Sequence, residues 1–268
     1  MPCRRYLLLL IVCHLGLTAH LLAERQPPSL TADQKRRAEQ LTSLFENDTL
    51  DLQYGYCTAL GDGRGYTAGR AGFTTCTDEV YTVARIYTER RPGNPLVPFL
   101  PRLQVLADEQ SAATSGLKGF PEAWRQAGED PVFQAVQDEM VEQLFWKPAL
   151  RHAETLGVRT PLGLAVLHDT IIQHGNDGDP DGLPSLVRET TDKVGGTPAT
   201  RADEKAWVRA FLKVREHHLA HAYEKETREE WKKSLDRCLV FEAIAQANNF
   251  SLKGPIVVKS RHHETTIP

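Results

Sequence analysis

The chain has 268 residues, 32 Lys and Arg against 35 Asp and Glu, a formal net charge of −3 and 41% hydrophobic residues. That balance excludes a disordered tail, a collagen-like repeat and a strongly basic nucleic-acid binder. It gives no electrostatic reason to expect DNA, RNA or an anionic membrane as a partner, and the length allows one large domain or two lobes around a real core.

Residues 1–23 read as a secretory signal peptide. Arg4 and Arg5 form a basic start, Leu7 to Leu17 is apolar but for His14, and Ala19 and Ala23 offer cut sites. The apolar run is too short to span a bilayer comfortably. The expected organisation is a leader over 1–23 and a folded chain over 24–268, secreted to the extracellular space. Cutting after Ala23 removes two positive charges and takes −3 to −5, a mildly acidic balance that suits a cationic partner. Cys57, Cys76 and Cys238 remain. Cys57 and Cys76 flank one Gly-rich turn and form the favoured disulfide; three reduced buried thiols are the alternative. No CxxC or HExxH spacing appears, so no metal site is expected.

Thr31 with Gln34 forms a capping box ahead of Ala38, Leu41 and Phe45 on one face, and Glu46 ends that helix. The interval 51–77 mixes glycines with Tyr54, Tyr56, Tyr66 and Phe73, the pattern of short antiparallel strands joined by tight turns. Asp78 caps a second helix with Val80, Val83, Ala84 and Tyr87 inward, stopped by Pro92-Gly93. Asn94-Pro95 starts a third through Leu106, Asp130-Pro131 a long one through Leu144, and Thr160-Pro161 another through Ile172. The Asp- and Gly-rich stretch 175–185 reads as a flexible surface loop, since its Gly and Glu miss the positions of a calcium loop. Two more helices run over about 202–223 and 228–248. His217, His218 and His221 read as an exposed helix face, and the tail after Gly254 has no clear period. With no βαβ alternation and no internal repeat, the chain reads as α+β, mainly α-helical, with one small β segment.

Gly61, Gly63 and Gly65 let the backbone turn sharply and present Asp62, Arg64 and Thr67 from a constrained loop. The loop is neither a dinucleotide fingerprint nor a Walker loop, because the flanking strand and Gly-Lys-Ser/Thr are missing. A carboxylic acid at a helix end and a second carboxylate on a turn, facing each other across a cleft, are the parts for cleaving a glycosidic bond. The bland alternative is a helix-terminal surface acid at Glu46 and an ordinary turn residue at Asp62. Asp169, among Leu164, Val166, Leu167, Ile171 and Ile172, must face a partner Arg or a cleft. Tyr54 is placed either to stack on a sugar ring or to pack in a short strand.

The string Glu46…Leu50-Asp51…Tyr54…Gly61-Asp62-Gly63-Arg64-Gly65-Tyr66-Thr67, then Gly72-Phe73, resembles the N-terminal catalytic signature of the family 46 chitosanases. Tyr87…Pro92-Gly93-Asn94, Asp130-Pro131-Val132-Phe133-Gln134 and Asp169…His174-Gly175 are similar to later motifs of that family, in the same order. The resemblance implies a lysozyme-like two-lobed fold with a cleft between the lobes. It implies an inverting endo-hydrolase of the β-1,4 linkages between glucosamine units of chitosan. On the matching positions, Glu46 is the general acid, Asp62 the general base, Thr67 a holder of the attacking water and Arg64 an orienting cation. Asp78 resembles an acid that binds a glucosamine amino group, with Tyr54 and Asp169 grouped as further substrate contacts. Asp169, Arg215, Arg228 and His174 resemble a buried network behind the cleft. No cofactor is expected, and the partner is the cationic polysaccharide, met by a monomer. Two other readings stay open: a lysozyme-like hydrolase of acetylated glycan, and a non-catalytic sugar-binding protein on the same scaffold. For catalysis Glu46 must hold a proton, which calls for a partly apolar or like-charged setting, while Asp62 must stay ionised, which Arg64 favours.

Overall fold

The computed structural model describes residues 27–225 and 228–268, so the leader expected over 1–23 lies outside the described residues. The Thr31 hydroxyl accepts from the Gln34 N–H and the Gln34 side chain accepts from the Thr31 N–H, starting α1 (Ala32–Asn47). Ala38, Leu41, Thr42 and Leu44 form its buried face. Three short antiparallel strands follow, as the Gly-punctuated pattern predicts: β1 (Cys57–Ala59), β2 (Tyr66–Ala68) and β3 (Phe73–Thr74), with β2 central. That order overturns the expected disulfide. Cys57 sits on β1 and Cys76 follows β3, so β2 lies between them. Two strand spacings, roughly 9.5 Å, exceed the reach of a disulfide. Cys57, Cys76 and Cys238 are free thiols, Cys57 and Cys238 buried.

Thr77, not Asp78, takes the cap position of α2 (Asp78–Arg90), because Asp78 already has helical backbone as its first residue. A 3₁₀ turn over Val97–Phe99 leads into α3 (Leu100–Asp108). The sequence reading missed α4 (Phe120–Ala127), a short amphipathic helix that buries Phe120, Trp124 and Ala127. The Asp130 side chain accepts from the Val132 N–H to cap α5 (Pro131–Val141). The long helix expected there passes through a π turn at Glu142–Trp146 before α6 (Lys147–Leu156). Pro148 lacks the N–H that would bond the Leu144 carbonyl, which is where a regular ladder must fail.

Thr160 caps α7 (Pro161–His174), which is buried along most of its length. The stretch expected as a loop over 175–185 ends at Gly182, where the unforeseen α8 (Leu183–Val194) begins, and its Asp181 is buried. α9 (Glu204–Ala220) carries the histidines. His217 and His221 are exposed, but His218 is not: its Nδ1 meets Asp181 at 2.7 Å and its Nε2 meets Glu189 at 2.9 Å. The helix expected over 228–248 is two, α10 (Arg228–Lys233) and α11 (Leu235–Gln246), separated at Ser234. The tail forms a hairpin, β4 (Ile256–Lys259) with β5 (Glu264–Ile267), in which Ile256 and Val258 alternate inward.

The β sheet packs with α2 to α5 in one lobe, and α1, α7 to α11 and the hairpin form the other. The π turn and α6 join them, and one continuous apolar core runs through both. The core of the second lobe holds a charge network. Asp169 on α7 pairs with Arg215 on α9 at 2.7 Å and with Arg237 on α11 at 3.2 Å, all three buried. The Thr42 hydroxyl of α1 donates to Asp169 Oδ1 at 3.0 Å. Burial alone would raise the Asp169 carboxyl, but Arg237 and Arg215 overcome it and hold it down to about 2.

A carboxyl depressed on folding contributes stability above its unfolded pKa and loses it as pH falls through its folded one. Wild-type protein is therefore expected to lose stability between about pH 4 and pH 2 as Asp169 protonates. Asp169→Asn leaves the buried Arg215 without an acid and Arg237 with Glu46 alone, and is expected to lower unfolding free energy by about 3–5 kcal/mol. Denaturant melts from pH 2 to 7 check both; an acid limb that survives the substitution places the titration elsewhere.

Candidate active site

Glu46 stands in the last turn of α1, one helical turn beyond Thr42, so both side chains face α7 and α11. Its carboxylate is 40% exposed and Oε1 accepts from Arg237 Nη2 at 2.6 Å. Arg237 thus spans Asp169 in the core and Glu46 at the surface. Its guanidinium also donates to Gln173 and lies 5.6 Å over the Phe45 ring. The setting of Glu46 differs from the expected one, since the nearest charge is a cation and not a second acid.

The loop between β1 and β2 carries the other acid. Gly61, Gly63 and Gly65 have φ of 73°, 81° and 77°, values that L side chains rarely adopt. Arg64 folds back on Asp62: its N–H donates to Oδ1 at 3.1 Å, and Nε and Nη2 donate to Oδ2 at 2.9 and 2.7 Å. These charge-assisted bonds hold the Asp62 carboxyl below the usual carboxylate range. Thr67 on β2 is buried, and its hydroxyl has no partner among the described residues.

A cleft of about 570 Å³ opens between the lobes. Glu46 and Asp48 line it from the helical lobe, Arg64, Thr67 and Arg70 from the sheet lobe, and Phe145 from the π turn that joins them. Asp62 is not among the lining residues; it reaches the cleft edge through Arg64. The Arg70 guanidinium is committed to Glu39 at 3.0 Å and to Asp138.

The remaining expected residues divide by burial. Asp169 is fully buried, so it is a network residue and not a substrate contact. Arg215 belongs to that network as expected. Arg228 does not: its guanidinium donates to the Ala222 and Tyr223 carbonyls, and Arg237 occupies the place assigned to it. His174 is buried beside the network without bonding it. Its Nδ1 donates to the Asp181 carbonyl at 2.9 Å, and burial, then Arg215, pushes it well below its usual range, so it is neutral. The Tyr54 hydroxyl donates to Asp138 at 2.8 Å with Arg70 over its ring, which makes it part of the wall behind the cleft. Asp78 is exposed at the start of α2, outside the cleft lining.

The sequence reading missed Arg237, Arg70 and Asp48. Arg237 did leave a signal: it lies four residues before Phe241 and seven before Ile244, on a stripe where all three are buried. A lone arginine in such a stripe requires an acid inside. Among the described residues no group of three or more His, Cys, Asp or Glu is arranged to hold a metal ion, and no helix is long and apolar enough to cross a membrane.

The sequence profile of glycosyl hydrolase family 46 matches residues 40–256. The chain is 47% identical over 234 residues to a chitosanase of Bacillus subtilis strain 168, across 87% of this chain and 84% of that one. Its fold is similar to that of a family 46 chitosanase of Gynuella sunshinyii solved with chitotetraose, at a TM-score of 0.81 and 44% identity over 90% of this chain and 99% of that one. It is similar also to a mutant chitosanase of Bacillus subtilis MY002 complexed with 6 GlcN, at a TM-score of 0.82 and 46% identity over 90% and 100%. The two-lobed α+β architecture is accordingly the lysozyme-like one expected from the motifs, and the chain belongs to glycosyl hydrolase family 46.

Proposed function

We propose that this chain is a secreted, monomeric endo-chitosanase that cleaves β-1,4 bonds between glucosamine units with inversion. The observation that carries the reading is that Glu46 from one lobe and the unpartnered Thr67 hydroxyl from the other open on a single cleft. The chitosanases to which the chain is similar, two of them solved with glucosamine oligomers, support chitosan as the substrate.

In this mechanism Glu46 is the acid. Arg237 occupies Oε1, which leaves Oε2 to carry the proton to the glycosidic oxygen. The attacking water sits on the opposite ring face. Thr67 holds it, since its hydroxyl is otherwise a buried group without a bond. Asp62 takes the water's proton, and Arg64 keeps Asp62 ionised until then. Gly61 and Gly63, with open space around them, let the loop fold over a bound sugar chain and bring Asp62 to the water. Such hydrogen bonds tighten in the substrate complex. The substrate's ammonium groups meet a cleft whose arginines are already paired with acids, so they meet little net repulsion.

Wild-type protein is expected to cut fully deacetylated oligomers faster than fully acetylated ones and to release the α anomer first, read by NMR. Faster cutting of the acetylated series would transfer the chain to the acetylated-glycan reading, and an initial β anomer would refute inversion. Glu46→Gln and Asp62→Asn are each expected to lower kcat by about 10²–10⁴-fold. Binding without cleavage by wild type would leave a sugar-binding protein.

Arg64→Met removes the cation that holds Asp62 down. The Asp62 carboxyl then rises toward its ordinary range and protonates at higher pH. The acid limb of kcat/KM is expected to move to higher pH, and a pH–rate profile with the limb unmoved removes Asp62 from the role of base.

Export rests on the leader pattern of residues 1–23. N-terminal sequencing of the secreted protein is expected to begin just after Ala19 or Ala23, and a retained Met1 would refute the leader.

A further inference from the structure

Asp48 stands two residues beyond Glu46, just past the end of α1. Its φ of 55° and ψ of 24° lie in the left-handed region, where helices usually place glycine. The turn itself uses only the Asp48 backbone N–H, which donates to the Leu44 carbonyl. The helix ending therefore uses the backbone of Asp48, which Asp tolerates there, and leaves its side chain available.

The Asp48 carboxylate is 91% exposed and lines the cleft beside Glu46. Oδ1 meets His263 Nε2 at 2.9 Å, while Oδ2 has no partner among the described residues. His263 lies in the turn of the β4–β5 hairpin and is only 13% exposed. Its ring stands edge-on to Phe45, centroids 5.8 Å apart at 83°. Its Nδ1 is buried without a partner. A proton there would be an unmatched buried donor, so the proton sits on Nε2 and is donated to Asp48. Nε2 thereby fixes the Asp48 carboxylate in place.

Every other charged residue described along the cleft is ion-paired: Glu46 with Arg237, Arg64 with Asp62, Arg70 with Glu39 and Asp138. Asp48 alone has no Lys or Arg partner among the described residues; its one contact is the His263 imidazole. Asp48 also lines a second groove of about 310 Å³ on the hairpin side, with Phe45, Asp236, His262, His263 and two cations already ion-paired elsewhere, Lys233 with Glu230 and Arg237 with Glu46 and Asp169. We infer that His263 is a positioning residue that aims Asp48 at the C2 ammonium of a glucosamine unit next to the scissile bond. This rests on the chitosanase reading above. The C-terminal hairpin thereby contributes to recognition of a cationic sugar.

The test uses full-length protein on fully deacetylated oligomers. Asp48→Asn keeps an acceptor for His263 and tolerates the left-handed backbone, so it deletes the charge alone. KM is expected to rise about three- to tenfold with kcat little changed, and the gap from wild type to shrink as salt rises. His263→Phe keeps the ring against Phe45 and removes the donor; it is expected to raise KM in the same direction, and His263→Gln to restore it. The double variant Asp48→Asn/His263→Phe is expected to be no worse than Asp48→Asn, because the two act through one contact. Asp48→Asn with unchanged KM and salt response overturns the inference, as does His263→Phe that lowers the melting temperature without moving KM. If wild type fails to cut deacetylated oligomers, the chitosanase reading falls first and this one with it. If wild type cuts them and Asp48→Asn behaves like wild type, this inference falls alone.

Discussion

A carboxylate with no access to water fixes the geometry of this molecule. Asp169 sits inside α7, where an unbalanced charge would be prohibitive, so two guanidiniums must come to it from α9 and α11. Their arrival sets how the helices of the second lobe pack. Arg237 does more than balance the acid. It extends from Asp169 to Glu46, so a constraint of the core becomes a constraint on a side chain in the cleft. Thr42 closes the same arrangement from α1. The position of Glu46 is thereby tied to three helices and not to the end of one.

The opposite wall follows another physical logic. There the backbone supplies the constraint: three glycines with positive φ and a short sheet whose central strand buries Thr67. Asp62 is held locally, by the arginine two residues away, and not by the core. One carboxyl group is anchored to packed helices and the other rides on a loop. That asymmetry supports the roles proposed above, a fixed acid at Glu46 and a mobile base at Asp62. The arginines of both walls are each matched by an acid at hydrogen-bonding or ion-pair distance, which leaves little net positive charge in the cleft.

Much of this was legible before any coordinates. Capping at Thr31, Asp130 and Thr160 is local chemistry, and the helices begin where those side chains say. The mixture of Gly and Tyr over 51–77 gave the sheet. What failed was non-local. Pairing Cys57 with Cys76 looked reasonable along the chain, but strand order put β2 between them. The resemblance puts Arg228 in the network; the break at Ser234 and the apolar stripe of α11 give that place to Arg237. His218 looked exposed because nothing in its own helix shows that Asp181 and Glu189 close over it.

The sequence by itself determined the helix starts at Thr31, Asp130 and Thr160, the turn-forming glycines and the family. These depend on interactions between residues a few positions apart, or on motifs whose letters survive in order. Tertiary structure alone decided which cation reaches Glu46, that Asp169 is sealed from substrate, and that a histidine 215 residues from Asp48 holds its carboxylate. Those outcomes depend on which faces of distant elements meet, and the burial that forces charges to pair is a property of the packed core, not of any one segment.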